Sequence, residues 1–220
     1  MGDKMLIAPS ILNANNLTLK DEIKRATNAG ITRFHIDIMD GHFVPNLSFG
    51  PQLVSDFKTE FPITEAEIHL MSNNPKVLIP AFVKAGADLL EFHYEAMQPN
   101  EVKYWLDYLK SNGVKAGLVL NPDTPIPVVE QFKNQIDQLL LMTVHPGFGG
   151  QKFLENSASR IKEARELVGK DIAIEVDGGI NQQTARIAKD AGANVFVAGS
   201  YLFEKGDIAS QIAKLTQSLS

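Results

Sequence analysis

Short runs rich in β-branched and apolar residues alternate with longer stretches of helical period from one end of this 220-residue chain to the other, which leaves few folds open to it. Strands are expected at residues 6–9, 33–38, 64–70, 88–93, 115–120, 138–143, 172–176 and 195–198. Amphipathic helices are expected between them at 17–29, 75–85, 101–111, 155–168 and 184–191, with a last one at 207–219. Gly30, Gly86, Gly113, Gly169 and Gly192 each stand after a helical segment and before a strand, where a residue that accepts left-handed backbone ends a helix. Residues 85–90 (AGADLL) and 191–196 (AGANVF) are near copies, which marks a repeated helix-to-strand turn rather than a duplicated site.

Strands that alternate with helices form a parallel sheet, and about eight such units in a chain of this length fit a closed (β/α)8 TIM barrel occupying residues 1–220 as one catalytic domain. An open, doubly wound sheet is the alternative. It would place Gly-x-Gly-x-x-Gly after the first strand, but Ala8-Pro9-Ser10-Ile11-Leu12-Asn13 stands there.

Partner classes narrow next. The net charge is -5 with Lys and Arg scattered, so no cationic stripe is offered to nucleic acid or anionic lipid. Cysteine is absent, which excludes disulfides, thiolate ligands and a thiol nucleophile; any metal must be held by His and carboxylate. No run reaches the ~20 apolar residues of a membrane span, the first five residues do not begin a signal peptide, and Leu6 replaces the Ser or Thr that a myristoylation motif beginning at Gly2 requires. The expected location is the cytoplasm.

In a parallel barrel the chemistry gathers at the C-terminal ends of the strands. His35, Asp37, His69 and Asp177 fall there. Side chains alternate faces along a strand, so His35 and Asp37 project together and away from Ile36 and Ile38. Two imidazoles and two carboxylates around one point make a divalent metal site that carries its own acid and base. The competing reading is a buried polar network, but ionisable groups are costly to bury without a partner, and a metal is the simplest one. Met39, Met71 and Met142 also fall at strand ends, either as core filler or as a polarizable wall beside a flat intermediate. His93 reads as a satisfied structural histidine, Asp40-Gly41 as a turn, and Trp105 as helix packing. The loop from Gly41 to Gly50 fits either a lid or a packing surface.

A second set of glycines lies at the same ends: Gly147, Gly149 and Gly150 around Phe148 after the sixth strand, Gly178-Gly179 after the seventh, and Gly199-Ser200 after the eighth. Backbone amides freed by glycine loops bind anions, and barrel enzymes often hold a phosphate beside strands seven and eight. A phosphorylated substrate is expected.

Residues 8–12 (APSIL), 35–46 (HIDIMDGHFVPN), 69–71 (HLM), 142–151 (MTVHPGFGGQ), 176–180 (VDGGI) and 197–200 (VAGS) together resemble the ribulose-phosphate 3-epimerases, a likeness that runs from about Leu6 to the last helix. The resemblance implies a ribulose-phosphate-binding (β/α)8 isomerase that interconverts D-ribulose 5-phosphate and D-xylulose 5-phosphate in the pentose phosphate pathway. It implies one divalent ion, zinc, iron or manganese, on His35, Asp37, His69 and Asp177, with Asp37 and Asp177 as the two acid/base residues. It implies substrate contacts at Ser10, His69, Gly147, Phe148, Gly149, Gly150, Gly178, Gly179, Gly199 and Ser200. A homo-oligomer is compatible with it, although no apolar stripe in the sequence marks an interface. Two positions depart from the commonest pattern: His145 where Asn is frequent, with a bearing on substrate preference, and Glu67 where Asp is frequent, with a bearing on ligand support or packing.

The chemistry of C3 inversion agrees. The hydrogen removed lies next to the C2 ketone, its loss gives an enediolate that a Lewis acid stabilises, and inversion needs one base on each face. Rivals have identifiable requirements. A Schiff-base aldolase needs a lysine at a strand end, and none is there. A metal-free decarboxylase or hexulose-phosphate synthase would put a lysine or another acidic pattern beside Asp37, where Ile36, Ile38 and Met39 stand. A non-catalytic phosphosugar-binding module would not need both aspartates. The nearest rival is allulose-6-phosphate 3-epimerase, with the same chemistry on a longer sugar.

Overall fold

A computed structural model describes residues 5–220; the leader and lipidation expectations at residues 1–4 lie outside the described residues. Eight strands, β1 (Leu6–Pro9), β2 (Arg33–Met39), β3 (Glu65–Met71), β4 (Leu89–His93), β5 (Lys115–Leu120), β6 (Gln138–Met142), β7 (Ala173–Asp177) and β8 (Val195–Ala198), form one parallel sheet in the order β1-β8-β7-β6-β5-β4-β3-β2. The two end strands meet through a parallel bridge between Ser10 and His35, so the sheet curls into a nearly closed barrel. Around it run α1 (Leu19–Asn28), α2 (Pro51–Glu60), α3 (Pro75–Ala85), α4 (Pro99–Ser111), α5 (Ser157–Val168), α6 (Gln182–Ala191), α7 (Ser200–Phe203) and α8 (Ile208–Ser218). None of the described helices is long and apolar enough to cross a membrane.

The expected elements agree with these to within a few residues; α2 and the four-residue α7 lie outside the expected helices, and one βα unit departs. After β5 the chain makes 3-10 turns at Ile126–Gln131 instead of an α-helix. Pro122, Pro125 and Pro127 explain this, because each lacks the N–H that an α-helical ladder requires. The repeated AGA segments do form the same turn. Gly86 and Gly192 cap α3 and α6 in left-handed conformation, and the next residue's N–H bonds back to Phe82 in one case and Ala188 in the other.

Alternation along the strands sorts the side chains into two environments. Outward residues such as Phe34, Ile36, Ile68, Leu70, Phe92, Leu118, Ile174 and Phe196 are buried in one apolar shell with the inner faces of the helices. Barrel interiors are usually filled by branched apolar residues. Here the residues between are polar on one side of the barrel: Arg33, His35 and Asp37 on β2, Glu67 and His69 on β3, Glu91 and His93 on β4, Gln138 on β6 and Glu175 on β7 are all buried. Strand register lays these in tiers, with Asp37 beside His69, His69 beside Glu91, and His35 beside Glu67. Buried ionisable groups stacked this way must satisfy one another or hold an ion.

Candidate active site and metal centre

Four of the expected residues converge at the C-terminal mouth. His35 Nε2 lies 3.2 Å from His69 Nδ1 and 3.3 Å from Asp37 Oδ1, and His69 Nδ1 lies 3.0 Å from the same Asp37 oxygen. Asp177 Oδ2 reaches across from β7 to within 3.9 Å of His35 Nε2 and 3.8 Å of His69 Nδ1. Four donor atoms around a tetrahedral ion with bonds of about 2.0 Å stand roughly 3.3 Å apart. The spacing of these four nitrogen and oxygen atoms suits a divalent ion of that size.

The protons point the same way. Glu67 Oε1 takes a hydrogen bond from His35 Nδ1 at 2.8 Å, so the Nε2 of a neutral ring is bare where it faces the centre. Glu67 itself is held below the usual carboxylate range: burial opposes its ionisation, but the hydrogen bond from His35 and the charge of Arg33 outweigh it. His35 lies in a cage of carboxylates. Burial opposes a charge on it, yet Asp37, Glu175 and Glu67 prevail and hold its pKa well above the imidazole value, so positive charge is what this point demands. The donor set therefore fits a metal ion in both spacing and charge.

The two aspartates are driven apart. Burial works against ionisation of Asp37, but the charge of His35 and hydrogen bonds from His35 and His69 overcome it, and the carboxyl lies well below its ordinary range. Ser10 Oγ adds a 2.5 Å bond to Asp37 Oδ2. For Asp177, burial and then repulsion from Asp37 push the pKa up to about 7.

Beneath the four-residue centre is a tier that the sequence reading missed apart from Glu67. Gln138 Nε2 faces Oε2 of Glu67, Glu91 and Glu175, and Arg33 Nη1 donates to Glu67 Oε2 at 2.8 Å and to Gln138 Oε1 at 3.0 Å. Burial and repulsion from Glu67 push Glu91 up to about 8 and raise Glu175 as well. At neutral pH Glu91 keeps its proton, and Glu67 carries the charge that answers Arg33. A signal for this tier was in the sequence. Glu67-Ile-His69, Glu91-Phe-His93 and Glu175-Val-Asp177 each place a glutamate two residues before a strand-end His or Asp, on the same inward face and one tier deeper.

Above the centre a single cavity is lined by Ser10, Asp37, Asp177, the three methionines Met39, Met71 and Met142, and the glycine loops at 147–150, 178–179 and 199–200. The expected substrate-contact residues thus share one cavity, except His69, which lies buried beneath it. Asn13 is a lining residue that the sequence reading did not single out. A Cβ built on Gly199 would meet its Oδ1 at 2.2 Å. At Gly179, with φ +67°, a Cβ would meet the backbone nitrogen of Phe153 at 2.4 Å, so only glycine lets these strands of backbone approach. The residues 41–50 fold over one side: Asn46 Nδ2 donates to the Gly147 carbonyl, and Val44 packs on Met39 and Met71. His145 is exposed and outside the lining, while Asp40 caps its own turn through the N–H groups of His42 and Phe43.

A family model described as the Ribulose-phosphate 3 epimerase family matches residues 6–203. A Bacillus subtilis protein named ribulose-phosphate 3-epimerase is 45% identical over 215 residues, covering 95% of this chain and 97% of its own. The Escherichia coli K12 protein of that name is 38% identical, covering 98% and 96%, and the chloroplast ribulose-5-phosphate-3-epimerase of Arabidopsis thaliana is 39% identical, covering 94% and 75%. Among solved structures, the 3-hexulose-6-phosphate synthase of Salmonella typhimurium superposes with a TM-score of 0.74 over 98% of each chain at 16% identity, a likeness of fold alone.

Proposed function

Since this chain belongs to the ribulose-phosphate 3 epimerase family, we propose that it interconverts D-ribulose 5-phosphate and D-xylulose 5-phosphate by moving one proton at C3 between Asp37 and Asp177. The observation that carries this reading is that two carboxylates from β2 and β7 meet the same pair of imidazole nitrogens directly beneath a glycine-lined cavity.

His35, His69, Asp37 and Asp177 would hold the ion. A divalent ion bound there would supply Lewis acidity for the charge that develops on the C2 oxygen when the C3 hydrogen is removed. Zinc, iron and manganese all suit a His/carboxylate set. The remaining work belongs to the chain. Asp37, steadied by Ser10, takes the proton from one face of the sugar, and Asp177 returns one to the other. In the reverse direction the roles exchange. Met39, Met71 and Met142 give the planar intermediate an apolar, polarizable wall that keeps water from reprotonating it. The phosphate is held by backbone N–H groups of the loops at 147–150, 178–179 and 199–200, which the close approach of Asn13 and Phe153 keeps free of side chains.

Comparing turnover on ribulose 5-phosphate with turnover on allulose 6-phosphate tests the assignment. The pentulose should be the faster substrate; faster turnover of the hexose overturns it.

A further inference from the structure

His93 ends β4 fully buried, outside the four-residue centre and outside the cavity lining. Its Nε2 lies 3.0 Å from His69 Nε2, its Nδ1 lies 3.2 Å from Glu95 Oε2, and Phe43 packs against its ring with centroids 4.6 Å apart. We propose that Glu95, acting through His93, fixes the tautomer of His69 so that its Nδ1 is presented bare to the metal ion. The inference rests on the reading of His69 as a ligand, and it makes Glu95 and His93 positioning residues for that ligand.

The chain of hydrogen bonds starts at Glu95. Its Oε1 accepts from the backbone N–H of Asn121 at 2.9 Å and from the hydroxyl of Thr124. The other oxygen faces His93, and an ionised carboxylate can only accept, so His93 carries its hydrogen on Nδ1. A neutral imidazole carries one hydrogen, so with that hydrogen on Nδ1 the Nε2 of His93 is bare. Two ring nitrogens 3.0 Å apart share one hydrogen, and that hydrogen must then belong to His69 Nε2. A neutral His69 ring carries no second hydrogen, so Nδ1 faces Asp37 Oδ1 and His35 Nε2 as a lone pair.

The opposite assignment leaves a conflict. A hydrogen on His69 Nδ1 would put the His93 hydrogen on Nε2 and leave the bare Nδ1 of His93 against the Glu95 carboxylate. With the assignment proposed here the lone pairs converge instead at the centre, where a cation reconciles them. Glu67 does for His35 directly what Glu95 does for His69 through a second ring.

Glu95→Gln reverses one atom of this chain. The backbone N–H of Asn121 needs an acceptor, so the amide oxygen stays on that side and the amide NH2 faces His93. His93 then meets a donor where it must itself donate. The Glu95 side chain is 23% exposed, so the change should be tolerated by the fold. The experiment measures Zn2+ affinity by chelator competition for the wild-type protein and for Glu95→Gln, His93→Leu, His93→Gln and His69→Ala, with circular dichroism as the fold check. Glu95→Gln and His93→Leu should each weaken Zn2+ binding roughly 10–100-fold. His93→Gln should lie nearer wild type, because its amide oxygen can accept the His69 hydrogen. In the Zn2+-loaded wild-type protein, 15N NMR of the histidine rings should find hydrogens on His69 Nε2 and His93 Nδ1. Wild-type affinity in folded Glu95→Gln, or a hydrogen on His93 Nε2, overturns the relay. Unchanged affinity in His69→Ala overturns the ligand reading beneath it.

Discussion

Asp37 and Asp177 stand on strands separated by β1 and β8 across the closure of the barrel, yet their oxygens lie 3.0 and 3.8 Å from a single atom, Nδ1 of His69. Their environments differ: Asp37 is held well below the usual carboxylate range and Asp177 is pushed up to about 7. Asp37→Asn and Asp177→Asn should each lower kcat by about 10²–10⁴-fold. Each variant keeps one carboxylate, so each should still exchange the C3 hydrogen of one epimer with deuterated solvent while failing to produce the other. Epimerisation within tenfold of wild type by either variant would sink the two-base scheme.

The four residues of the centre were legible because a strand has a period of two and a parallel barrel collects its strand ends. Those two rules turn Phe34-His35-Ile36-Asp37 into a pair of convergent side chains without any long-range information. The tier below was equally encoded, as glutamates two residues before His69, His93 and Asp177, but single charges inside apolar runs do not announce that they face one another. That Arg33 and Gln138 would meet them depends on barrel closure and strand register. His93 was legible as a satisfied histidine; its link to His69 was not, since it arises from the pairing of β3 with β4. The absence of an α-helix after β5 is local and could be read from its prolines.

Metal removal should abolish turnover and also lower the melting temperature. The ion binds the folded chain, and stabilisation follows from the ratio of its concentration to its Kd; about 100 Kd of free metal adds roughly 2.7 kcal/mol. Extensive dialysis against a chelator, followed by calorimetry with and without added Zn2+, Mn2+ or Fe2+, reads both effects. A melting temperature indifferent to every ion would speak against an ion in the tetrad.

Met71 is 1% exposed, packs with Met39 and Val44, and lines the cavity beside Asp37. Met71→Leu keeps the volume and removes the thioether, so a core filler would tolerate it at a cost under about 1.5 kcal/mol. A polarizable wall would not be replaced so easily. Turnover should fall while metal content, measured by elemental analysis, stays the same. Unchanged turnover would return the methionines to ordinary packing.

Glu91 gives the tier below the centre a pH signature that can be read in metal-free protein. Its folded pKa is raised from 4.5 to about 8, first by burial and then by repulsion from Glu67. Below about pH 4.5 the residue is protonated whether the chain is folded or not, and it takes nothing from stability. Between there and about pH 8 the unfolded chain releases the proton and the folded chain does not, so stability falls as pH rises. Glu91→Gln removes the titration and keeps an oxygen for Gln138 Nε2, which bonds Glu91 Oε2 at 3.1 Å. The gap in unfolding free energy between variant and wild type should therefore widen in the variant's favour from about pH 4.5 to 8, by on the order of a few kcal/mol. Zn2+ should narrow it, because a cation at His35 favours the ionised glutamate. Urea midpoints measured across that range decide the matter, and parallel curves for the two proteins would mean that Glu91 ionises in the barrel as it does in water.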